Sequence, residues 1–158
     1  MSAASAISQR LSELGLVLPV PPQAVGQYRP WIEAENFIFV SGQFPLSEGV
    51  LQYPGKLGTD LSDTEGYEAA RLAGLNVLSQ LSAATKCFEN LACIVRLEGH
   101  IQSTPDWYAH AKVLDGASEL FSAILGDLAG HTRTAFSHNA LPLNASVELV
   151  VTASTHSV

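Results

Sequence analysis

A chain of 158 residues has the size of one ordinary domain and can bury a core without disulfide staples. Eight Lys and Arg against fifteen Asp and Glu leave a formal charge of −7, and the basic residues are scattered, which argues against nucleic acid as the main partner. The two cysteines, Cys87 and Cys93, lie outside any CxxC pattern and read as reduced structural thiols, and no apolar run is long enough to span a membrane. Residues 1–15 lack the basic and apolar regions of a secretory signal, so a cytoplasmic location is expected.

Apolar residues at Ile7, Leu11 and Leu14 predict an amphipathic helix over residues 3–16, stopped at Gly15. The run Leu18-Pro19-Val20-Pro21-Pro22 is an extended connector. Residues 28–34 are β-rich. Phe37-Ile38-Phe39-Val40 reads as a buried strand closed by Ser41-Gly42, with a further short strand at residues 49–53. Ser62-Asp63-Thr64-Glu65 is a capping box that opens a long helix through Ala70, Ala73, Val77, Leu78 and Leu81.

Residues 91–101 form a strand candidate with Ile94, Arg96 and Glu98 on one face and Val95 and Leu97 on the other. Thr104-Pro105-Asp106 carries the signals of a second helix start, and that helix is expected to run to about Leu128. Gly116, within it, costs about 1 kcal/mol relative to alanine and suggests close helix packing. Strands over residues 132–137 and 146–154 finish the chain. This order predicts an α+β fold in which both long helices cover one sheet face. The other face is left for a second subunit, in keeping with 47% apolar residues and a mean hydropathy of +0.18.

Two charged residues in these last strands are the chemical candidates. Arg133 cannot lose its charge and needs an anion, either an acidic side chain of the same chain or the carboxylate of a ligand. Glu148, between Val147 and Leu149, is either a solvated edge residue or a desolvated acid/base; the two charges can also simply pair with each other. His131 and His138 flank Arg133 and can line the same pocket. The five histidines show no metal-binding spacing, and neither GxSxG nor a glycine-rich phosphate loop occurs, so no metal or cofactor is expected.

From Ala24 onward the chain resembles the RidA (YjgF-like, reactive intermediate deaminase) family, often labelled endoribonuclease L-PSP. The resemblance rests on Ala24-Val25-Gly26-Gln27-Tyr28, on Phe39-Val40-Ser41-Gly42-Gln43, and on Arg133-Thr134-Ala135 followed by Leu141-Pro142 and Val147-Glu148. It implies a chorismate-mutase-like fold of the bacillary type: a mixed sheet with two helices on one face, in a homotrimer with a barrel-like core and sites between subunits. Residues 1–16 are then an extra N-terminal helix on a core of 17–158. The implied activity is hydrolysis of enamines and imines such as 2-aminoacrylate to 2-keto acids and ammonia, in the manner of a 2-iminobutanoate/2-iminopropanoate deaminase. In that reading Arg133 holds the substrate carboxylate and Glu148 positions water. Tyr28 forms the pocket wall, Ser41 and Gly42 present backbone groups, and Asp115 and Ala135 line the site. Many deaminase members carry a cysteine where Ala135 stands, and the 55–63 segment is an insert. The alternatives are a non-catalytic trimer that binds small carboxylates and an endoribonuclease or translation inhibitor.

Overall fold

A computed structural model describes residues 2–156. Helix α1 (Ala3–Glu13) is capped by Ser2 and ends at Gly15, whose positive φ lets the amides of Gly15 and Leu16 close back on the carbonyls of Ser12 and Leu11. The strands are β1 (Trp31–Ala34), β2 (Phe37–Gln43), β3 (Leu46–Ser47), β4 (Val50–Leu51), β5 (Leu91–Gln102), β6 (Thr132–His138) and β7 (Val147–Thr155). Helix α2 (Asp63–Ala84) precedes β5, and α3 (His110–Leu125) links β5 to β6.

Five strands form one sheet in the order β1-β2-β7-β5-β6, parallel only between β5 and β6, while β3 and β4 make a separate two-stranded ribbon. Strands β2 and β5 are both antiparallel to β7 and therefore run parallel to each other. Each long helix is thus a crossover between parallel strands, and both lie on one face of the sheet. The α+β reading with a mixed sheet and helices on one side is what the chain adopts. The core is sealed by Ile38, Val40, Leu97, Ile101, Leu149 and Val151 from the sheet, against Val77, Leu81, Leu114 and Phe121 from the helices. The opposite face carries Ile32, Phe37 and Phe39, all more than two-fifths exposed.

The capping box forms as expected. Ser62 accepts from the Glu65 amide, and the Glu65 carboxylate accepts from Ser62, which holds the Glu65 carboxyl below its ordinary range. Gly116 also has the expected reason: a Cβ there would lie 2.1 Å from the Tyr67 carbonyl oxygen, so α3 packs directly on the α2 backbone.

Two expectations are corrected. Helix α3 starts at His110, not at Thr104, because residues 104–109 are drawn toward α2, where the Trp107 indole donates to Asp63 at 2.8 Å. In β5 the register shifts between Ile94 and Arg96, so Ile94 and Leu97 both enter the core. A bulge there breaks the strict alternation read from the sequence.

The 55–63 segment is built into the body. Leu57 is fully buried, its amide donates to the Gln102 carbonyl, and its own carbonyl accepts from Thr104. Helix α1 is tied down in a similar way, with Ile7 in the core and Arg10 donating to the Ile124 carbonyl at 3.2 Å, a cation at the negative end of α3.

Candidate functional site

Arg133 lies on β6, the outermost strand, in register with the core residue Leu97, so its side chain points to the helix side of the sheet. Its Nη1 donates to Asp115 Oδ1 at 2.8 Å and to Ser118 Oγ at 3.1 Å, while Nη2 donates to the Ala111 carbonyl at 3.4 Å. Asp115 and Ser118 are three residues apart on α3 and therefore share one face. His131 extends the network. Its Nδ1 can only donate to the Ala129 carbonyl, so its Nε2 accepts from the Ser118 hydroxyl at 2.9 Å. Of the two anions open to Arg133, the acidic side chain of the same chain is the one it contacts here. Helix α3 brings an acid within reach, and a partly buried cation takes the nearest anion.

Glu148 occupies the other face of the sheet, in register with His100 of β5. Burial pushes its carboxyl above the ordinary range, and among the described residues it has neither a hydrogen-bond nor an ion-pair partner. It lies across Gly42 at the β2 bulge, where an added Cβ would sit 1.9 Å from its Oε1. Glycine is thus what makes room for the acid.

Tyr28 and Gly42 line one narrow cleft with Gln43, whose open space of about 10 Å3 is room for a single water rather than a substrate. The backbone groups of Ser41 are already engaged: its amide donates to the Pro30 carbonyl and its carbonyl accepts from Gln43 Nε2. In the single chain these two groups are held by intrachain partners at the strand bulge.

The chain therefore brings Tyr28, Ser41, Gly42 and Glu148 together, and separately Arg133, Asp115 and, on the same side of β6, Ala135. The two groups do not meet. Strands β6 and β2 are three positions apart in the sheet, about 14 Å. Arg133 and Glu148 also face opposite ways.

His138 parts from Arg133 for the same reason, since five residues along a strand reverse the face. It joins a cluster beside Glu148 that the sequence reading did not assemble. His138 Nε2 lies 2.8 Å from His100 Nδ1, and His100 stacks on Phe136 and faces Glu98 at 3.9 Å. Burial, and then the neighbouring His138, hold the His100 imidazole below its usual pKa against the pull of Glu98. The signal for this cluster was the alternation of residues 134, 136 and 138 against 98 and 100, visible only once β5 and β6 are known to pair. Among the described residues no three acidic, histidine or cysteine side chains converge as a metal site, and no helix is long and apolar enough to cross a membrane.

A family model described as "YjgF/chorismate_mutase-like, putative endoribonuclease" matches residues 8–154. The chain belongs to the YjgF family. Within it, protein TCP17 of Trypanosoma cruzi is 32% identical over 148 residues, covering 93% of this chain and 92% of the relative. A Shewanella oneidensis crystal structure described as "a putative endoribonuclease" superposes with a TM-score of 0.91 at 37% identity, covering 94% of this chain and 99% of that one. The crystal structure of E. coli TdcF with bound serine shares the fold at 21% identity and a TM-score of 0.64, over 85% of this chain and 93% of that one. The YjgF match spans both halves of the site just described and establishes the chorismate-mutase-like architecture.

Proposed function

We propose that three copies of this chain enclose small-molecule sites in which Glu148 shuttles a proton during hydrolysis of enamines and imines, such as 2-aminoacrylate, to 2-keto acids and ammonia. The observation that carries this reading is the Glu148 carboxyl itself, partly desolvated, seated over a glycine and without a partner among the described residues. An unpaired acid partly withdrawn from water is costly, and such groups cluster at functional sites. An enamine such as 2-aminoacrylate first becomes the imine as a proton moves from its nitrogen to the methylene carbon. Water then adds to the imine carbon while Glu148 takes one of its protons and hands it to the nitrogen. The resulting carbinolamine then loses ammonia as its hydroxyl becomes the keto group. A carboxyl whose pKa is raised toward neutrality is suited to both directions of transfer.

Assembly between copies supplies what one chain lacks. The cleft beside Tyr28 and Gly42 is too small to hold a substrate, and Arg133 sits on the opposite edge of the sheet. An exposed sheet face bearing Ile32, Phe37 and Phe39 is the natural contact. In the closed site Arg133 of one copy faces the substrate's carboxyl end and Ala135 adjoins it, while Tyr28, Ser41 and Gly42 of another form the wall next to Glu148. Serine bound to TdcF is a ligand of the same size class. The endoribonuclease description finds no support in a chain of net charge −7.

Steady-state hydrolysis of 2-aminoacrylate generated in situ tests the reading. Glu148→Gln should lower kcat by roughly 10²–10⁴-fold, and Arg133→Ala should act mainly on KM. Equal rates in wild type and both variants would remove it.

A further inference from the structure

The Arg133 fork is already occupied. Its shortest contact is Asp115 at 2.8 Å, with Ser118 and the Ala111 carbonyl taking two further N–H groups. Three of the guanidinium N–H groups are engaged without a ligand, and the network closes behind them as the Ser118 hydroxyl donates to His131 Nε2 and His131 Nδ1 donates to the Ala129 carbonyl. Asp115 is not forced into this contact by burial. Its side chain keeps 46% of its exposure against 25% for Arg133, so the pair is reached by solvent and Asp115 stays on Arg133 although water is available to it. A second carboxylate on the same guanidinium would share one positive charge between two negative ones and meet Asp115 at close range, an unfavourable like-charge contact.

We propose that Asp115 is a built-in counter-anion that sets the substrate class of this site. It competes with a substrate carboxylate for Arg133, so free 2-imino acids are held weakly at that end, while imines whose acceptor there is uncharged, such as the carbonyl of an amide or ester, are held at least as well. A neutral carbonyl can accept from the remaining guanidinium N–H groups without bringing a second negative charge. The inference rests on the preceding reading of where the substrate lies, and it concerns only the end that faces Arg133.

Calorimetric titration with two stable keto analogues, 2-ketobutyrate and its amide, separates the cases. Wild type should bind the amide at least as tightly as the acid. Asp115→Asn keeps the side-chain shape and an oxygen for Arg133 but removes the charge. It should tighten the acid by roughly ten- to hundredfold, the range of a charged hydrogen bond, and leave the amide within about threefold. Asp115→Asn combined with Arg133→Ala should lose that gain.

The inference is overturned by a wild-type preference of tenfold or more for the acid, or by Asp115→Asn leaving acid binding unchanged, weaker or undetectable. It also falls if the gain survives without Arg133. Each of these can occur while Glu148-dependent imine hydrolysis persists, and loss of that hydrolysis alone would instead strike the underlying reading.

Discussion

Glu148 and Arg133 are both charged groups in β-strands, and the fold treats them in opposite ways. Arg133 is given an acid, a hydroxyl and a carbonyl. Glu148 is given a glycine to lie on and, among the described residues, no donor. Its raised carboxyl pKa means that the folded chain binds a proton more readily than the unfolded chain does. The cost of the charged form is therefore fully present above the folded pKa and disappears as pH falls through it to below the ordinary carboxyl value of about 4.3. Glu148→Gln should raise the melting temperature at pH 7.5 by roughly 1–3 °C, a small shift because the group keeps contact with water. The two proteins should converge near pH 4. A variant less stable than wild type at neutral pH would show that the carboxylate is satisfied after all. The need of Arg133 for an anion could be read from its residue type alone. Which anion it takes could not, because Asp115 is eighteen positions away and reaches it only when α3 lies over β6.

At the level of elements, the backbone approach of α3 to α2 at Gly116 is the most constrained contact. Alanine is favoured over glycine in a helix by about 1 kcal/mol, yet a Cβ here would strike the Tyr67 carbonyl, which belongs to a buried helix backbone and cannot turn aside. Overpacking of this kind typically costs about 1–3 kcal/mol. Gly116→Ala is therefore expected to destabilise the chain in chemical denaturation, and a stabilised variant would mean that the helices can move apart without loss.

Elements with agreeing local signals were legible in the sequence. Helix α2 has its capping box and its stripe of alanines and leucines, and α1 has its glycine stop. The start of α3 was not legible, because Thr104-Pro105 has every local mark of a helix opening while Trp107 is claimed by Asp63 of α2. Nor was the β5 bulge, since period-two alternation holds on either side of it and the extra residue shows only in the pairing with β7.

The whole molecule has one face closed by two helices and one face left open. Ile32, Phe37 and Phe39 share that open face with Glu148 and, further along the sheet, with the Glu98, His100 and His138 cluster. If copies associate through it, Phe39→Asp should leave the far-ultraviolet circular dichroism intact and shift sedimentation from trimer to monomer, with loss of hydrolytic activity. A wild-type protein that sediments as a monomer at micromolar concentration would separate the open face from the site. The pH dependence of kcat/KM for imine hydrolysis tests the role of Glu148 most directly. The account predicts an acid limb whose midpoint lies above the ordinary carboxyl value, and its disappearance in Glu148→Gln together with most of the rate. A Glu148→Gln protein that keeps both the wild-type rate and the same acid limb would contradict it.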